Sequence, residues 1–172
     1  MNLTNYDFKP TIIGSMPHTD PGKACRLITS YLDTIPAWPQ LPKRSPLEGM
    51  SLQFSRGFPG LENIEGKLKF KHSDSFEKAL EGLYDNYLRG DYAEYEVTAE
   101  YAAGLHHFLG MGGVNPLMVK GQVTGPVSWC LTIADETGKP ILYDEILADA
   151  ADIITIKRGI GRDLNGNTDG CL

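Results

Sequence analysis

Two stretches of this 172-residue chain place small, hydroxyl-bearing residues at the end of an apolar run. One is Thr11-Ile12-Ile13 leading into Gly14-Ser15-Met16-Pro17-His18. The other is Met118-Val119-Lys120-Gly121-Gln122-Val123-Thr124-Gly125-Pro126. An apolar run that closes on Gly, Ser or Thr and then Pro reads as a buried strand handing over to a helix. In βα-type folds the ligand sits beyond the carboxyl ends of such strands. Glycine there lets the backbone come close to a ligand, and Ser15 and Thr124 set hydroxyls beside free amides. His18 falls on the same rim, where two readings stand: a ligand contact or proton donor, and a loop or capping histidine. Lys120 sits inside a strand, so its charge must face the interior or find a partner.

A second group follows the next apolar run. Trp38, Gln40, Lys43 and Arg44 stand close together and could line a pocket for an acidic substrate, or could be a packed tryptophan with solvated basic neighbours. Glu48 and Gln53 come soon after, on a surface excursion that can reach back to the strand ends. His106-His107 invites a metal reading, but adjacent helical residues point about 100° apart and cannot share one ion. Asn165, Asn167, Asp169 and Gly170 imitate the first half of a calcium loop. The bidentate glutamate that such a loop requires does not follow, so turn composition is the better reading.

Elements must position these residues. Lys9 to Ser15 reads as a loop entering a short buried strand. Asp20-Pro21 signals a helix start, with Ala24, Leu27, Ile28, Tyr31 and Leu32 as its apolar face. Residues 35–42 hold too many prolines for a long central strand. Residues 43–59 read as the excursion, with a helical turn around 47–54, and 61–70 as a hairpin turning at Glu65-Gly66. Asp74 and Glu77 have capping-box spacing ahead of a helix striped by Phe76, Leu80, Leu83, Tyr84, Tyr87 and Leu88 and closed by Arg89-Gly90. Further helices are expected over 98–109, 127–134 and from Pro140 to about 157. From Arg158 onward Gly, Asn and Asp dominate, and an irregular, disordered tail is expected.

Bulk properties narrow the field. Hydrophobic content of 41% and charged content of 22% suit one globular domain. The net charge of −6, without a basic block, argues against nucleic acid or an anionic membrane as the main partner. No apolar run approaches the ~20 residues of a membrane span, and the N-terminus has no signal-like core, so cytoplasmic residence is expected. Cys25, Cys130 and Cys171 are widely spaced with no Cys-x-x-Cys pair, and Cys25 and Cys130 read as buried helix residues.

Three stretches carry a resemblance: Ile12-Ile13-Gly14-Ser15-Met16-Pro17-His18, Trp38-Pro39-Gln40-Leu41-Pro42-Lys43-Arg44 and Lys120-Gly121-Gln122-Val123-Thr124-Gly125-Pro126. Over about residues 9–157 the chain resembles the cobalamin-independent methionine synthase and uroporphyrinogen decarboxylase superfamily, in its methionine-synthase-like, single-barrel branch. The resemblance implies an α/β fold: about the first half of a (β/α)₈ TIM barrel, with the hairpin as an insertion. It implies a methyltransferase that moves a methyl group from a methyl donor to a small-molecule thiol, which zinc activates in complete members. Substrate binding carries over to Ile13, Gly14 and Ser15, with His18, Gln53 and Thr124 as further substrate-binding candidates.

The chain also departs from the pattern. Gln53 stands where the family has a glutamate for the substrate's ammonium, and this leaves room for a thiol without an amino group. The family's zinc ligands come from the second half of the barrel, and no His-x-Cys motif occurs here. No cofactor is therefore expected on this chain, and zinc only in a complete member. Truncation or a frame change after Lys157 is the expected origin of the tail. Three functional readings remain: an incomplete methyltransferase half, a non-catalytic half-barrel that pairs with itself or with a complementing half, and, ranked last, a decarboxylase of the uroporphyrinogen type.

Overall fold

The computed structural model describes residues 8–91 and 93–159, with side chains as far as Thr155. Residues 1–7, the calcium-like run at 165–172, Cys171 and the tail beyond Gly159 lie outside the described residues.

Helix α1 spans Pro21–Tyr31. The Asp20 side chain caps it by accepting from the Lys23 amide at 3.0 Å, and that bond holds the Asp20 carboxyl below its ordinary pKa. Ala24, Cys25 and Ile28 are buried, but Leu27 and Tyr31, expected on the same face, are exposed. The apolar stripe is therefore narrower than its spacing suggests. The chain next forms two short 3₁₀ turns, Pro46–Glu48 and Leu52–Phe54, and then strands β1 (Leu61–Ile64) and β2 (Lys67–Phe70). These strands pair antiparallel with Leu61 opposite Phe70 and Ile64 opposite Lys67. Glu65 and Gly66 both take positive φ, 52° and 81°, the backbone of a two-residue turn that matches strand twist.

Helix α2 (Phe76–Arg89) starts one residue later than the capping-box spacing implies, and Ser75 occupies its N-cap with no side-chain bond. Gly90 ends it in the left-handed region at φ 72°. Helix α3 is confined to Ala103–Leu109. Residues 98–102 instead close a separate turn, in which the Tyr101 and Ala102 amides both donate to the Thr98 carbonyl. Helix α4 is Pro126–Leu131; the Thr132 hydroxyl takes up the Trp129 carbonyl at 2.7 Å and ends the helix early. The last helix does not begin at Pro140. A 3₁₀ turn at Ile141–Tyr143 precedes α5 (Glu145–Gly159), because Asp144 caps α5 by accepting from the amides of Ile146 and Leu147.

The main core lies where the hairpin, α2, α4 and α5 meet, around Trp129, Phe70, Phe76, Leu83, Leu147 and Ile154. Phe58 stands edge-on to Trp129 at 5.1 Å between centroids, and Phe70 edge-on to Phe76 at 5.3 Å. A smaller cluster of Cys25, Trp38, Ala102 and Phe108 joins α1 to α3.

The site depends on three extended segments rather than on the hairpin. Residues 13–16 run parallel to 37–40, and 37–40 parallel to 117–120, through single bridges at Ser15/Gln40 and Ala37/Lys120. Gln40 donates from its amide to the Gly14 carbonyl and accepts from the Met16 amide, each at 2.9 Å. On the other flank the Lys120 amide donates to the Pro36 carbonyl at 2.8 Å. The short strand expected after the loop that begins at Lys9, and the strand expected ahead of Thr124-Gly125-Pro126, are thus reduced to isolated bridges. Pro36 and Pro39 in the shared central segment have no amide proton to lengthen a ladder.

Candidate functional site

The two bridges set all three segments in one direction, so Ser15, Gln40 and the residues after Lys120 follow the same ends. Gly14 sits at φ +110°, and a Cβ there would stand 2.8 Å from the Trp38 carbonyl oxygen. Only glycine permits this close approach of the first segment to the second. Ile13 turns its side chain outward, 68% exposed. Its carbonyl accepts from Lys120 Nζ at 3.0 Å, so the lysine reaches across the central segment and gives its charge a polar partner. Ser15 is exposed and His18 half-buried.

The excursion is stitched to these ends by buried polar groups. Gln40 Nε2 donates to Gln53 Oε1 at 2.7 Å, and Gln53 Nε2 donates to the Tyr101 carbonyl at 2.9 Å. Glu48 accepts from Arg44 Nη1 at 2.7 Å and from the Leu41 amide at 3.2 Å. The Thr124 hydroxyl donates to the Met50 carbonyl and Trp129 Nε1 to the Ser51 carbonyl, both at 2.9 Å. Gln53 and Thr124 are therefore occupied by the scaffold, as is the Gly14 carbonyl through the Gln40 amide, whereas the His18 Nδ1 has no partner and Ser15 is exposed. Nor does the Trp38, Gln40, Lys43, Arg44 group form an acidic-substrate pocket. Trp38 is packed, Gln40 and Arg44 are bonded inward, and Lys43 faces solvent.

Gln122 is the residue that sequence reasoning passed over. Its Oε1 and the His18 Nδ1 are buried without a hydrogen-bond partner, the only two such side-chain atoms among the described residues. The available signal was its place two residues after Lys120, on the same face of an extended run.

Other candidates separate from this rim. A cavity of about 560 Å³ lies at the opposite ends of the segments, lined by Thr29, Asp33, Thr34, Val114, Asn115 and Leu117. His106 Nε2 pairs with the Val97 carbonyl at 2.7 Å, while His107 packs against α1 at Gly22. Cys25 and Cys130 are free and buried, and burial pushes both thiols up to about 11.

The zinc that the resemblance implies needs converging thiolate, imidazole or carboxylate donors. Among the described residues no three His, Cys, Asp or Glu side chains converge, and a thiol pushed up to about 11 is the reverse of a metal-ready thiolate. These residues do not fit the metal. No helix among the described residues is long and apolar enough to cross a membrane. Neither a protein-family model, nor a curated protein, nor a solved structure matches this chain.

Proposed function

We propose that this chain is the thiol-binding half of a methionine-synthase-like methyltransferase barrel, working in the cytoplasm. The single observation that supports it most is the shared direction of the three segments, since Ser15 and His18, and Gln122 and Thr124, come at or after the ends of the outer two in sequence. Gly14 and Ser15 hold the acid end of a small thiol through amide and hydroxyl. Lys120 adds positive charge at the Ile13 carbonyl, two residues before Ser15. In the complete reaction the thiol sulfur forms a bond to the methyl carbon as the bond from that carbon to the donor breaks, and the thiol proton leaves to solvent. This chain contributes the binding and orientation of the thiol, and the metal donors lie in a complementing half.

The test is calorimetric titration of the purified chain with small carboxylate-bearing thiols. The expected result is saturable binding of at least one, weakened about tenfold in Ser15→Ala through loss of a hydrogen bond to a charged group. Absence of binding by every thiol at millimolar concentration contradicts the proposal.

A second reading, a self-associating half-barrel without turnover, draws on the outer segments. Ile13, Leu117 and Met118 are exposed. The amides of Ile13 and Val119 make no backbone hydrogen bond among the described residues. Open edges of this kind favour association. A mass in solution of two chains, with no thiol binding, supports this reading over the first.

A further inference from the structure

We infer that the cavity at the other ends of the three segments is a second binding site, which takes a small aliphatic amine in its protonated form. This inference is independent of the thiol reading above.

The cavity holds about 560 Å³, inside the range of about 300–1,000 Å³ usual for small-molecule sites. It forms where helix α1 ends and where the second and third segments begin. Thr29 reaches it from the last turn of α1, Asp33 and Thr34 from just beyond that helix, and Val114, Asn115 and Leu117 from the opposite wall. One carboxylate is too few for a hard metal ion, which would also leave most of this volume to water.

The hydrogen bonds already made fix what the walls can offer. Thr29 spends its hydroxyl proton on the carbonyls of Cys25 and Arg26, at 3.1 and 3.3 Å. Thr34 spends its own on Asp33 Oδ1 at 2.9 Å. The Leu117 amide is taken by the Thr34 carbonyl at 3.0 Å. Both hydroxyl oxygens and the Asp33 carboxylate therefore remain as acceptors, and among the lining side chains only Asn115 can still donate.

Charge points the same way. Asp33 is the one charged side chain in the lining, and it makes no ion pair among the described residues. Helix α1 turns its negative end toward this place with no basic residue in its last turn. The Arg26 guanidinium lies back beside Gly22, toward the start of the helix. Acceptors with uncompensated negative charge favour a cation that carries several donors, and a primary ammonium carries three. Val114 and Leu117 give apolar cover to a short hydrocarbon chain.

The experiment is a ¹⁵N-correlated NMR titration of the full chain with n-butylamine at neutral pH, set beside butanol, butyrate and magnesium chloride. Butylammonium is expected to shift the amides of Thr29, Asp33, Thr34 and Asn115 in a saturable way, and more tightly than the other three probes. Asp33→Asn keeps the size of an exposed side chain and should weaken that binding about fivefold, the upper worth of an exposed ion pair. Unchanged shifts elsewhere in the variant show that it is folded. Binding of butanol, butyrate or magnesium at these amides as tight as that of butylammonium overturns the inference. So does unaltered affinity in Asp33→Asn, or no saturable response to butylammonium at millimolar concentration.

Discussion

Around Trp129 the molecule is finished. The indole is 2% exposed, stands edge-on to Phe58, and donates its one proton to the Ser51 carbonyl. At the ends of the parallel segments it is not: Gly14 is held at φ +110°, Lys120 leans on a backbone carbonyl, and Gln122 and His18 keep shielded atoms with no partner. The first region gains stability from apolar area and matched hydrogen bonds. The second carries polar chemistry that stability alone does not call for, the pattern expected where a ligand supplies the missing partners.

This contrast can be broken at its strong end first. Trp129→Ala is expected to lower unfolding free energy by about 3–5 kcal/mol, measured by urea denaturation. A loss as small as that of a surface substitution would remove Trp129 from the centre of the core. Arg44→Ala comes next. It leaves the Glu48 carboxylate, 1% exposed, with the Leu41 amide as its remaining partner, at a cost of about 1–3 kcal/mol. Adding Glu48→Gln to that variant should recover part of the loss, and failure to do so would show that packing rather than charge is at stake.

At the rim the sign changes. Gln122→Leu should leave stability within about 0.5 kcal/mol of the native chain or raise it, since it deletes an unpaired acceptor. A loss above 1 kcal/mol would place Gln122 with the scaffold instead. A dependence on pH comes from the two core thiols, which burial raises from 9.0 to about 11. The unfolded chain releases these protons first, so their contribution is whole below pH 9 and falls away as pH rises toward 11. Urea midpoints across that window should decline for the native chain and decline less for Cys130→Ala.

The same division governs what could be read from the sequence. Asp20-Pro21 and Glu65-Gly66 are local instructions, a cap and a turn, and both form where they were expected. The end of α2 at Gly90 is legible for the same reason. The start of α5 differs from the expectation at Pro140 because the Asp144 side chain meets the Ile146 and Leu147 amides, whereas α2 begins after Ser75 without any side-chain cap. At the rim, Gly14 is visible as a glycine, but the need for it arises from the Trp38 carbonyl, far along the chain. Gln53 looked available for a ligand because the Gln40 and Tyr101 groups that occupy it come from other elements. Gln122 went unnoticed because only the folded chain reveals that its acceptor is unmatched.

The most direct measurement of the central claim is a ¹⁵N-correlated NMR spectrum of the chain, recorded with and without a saturating mercapto acid. Perturbations concentrated at the amides of Gly14, Ser15, His18, Gln122 and Thr124 are the predicted result. Perturbations confined to Thr29, Asp33, Thr34, Val114 and Asn115, around the 560 Å³ cavity at the other ends of the segments, or none at all, would contradict it.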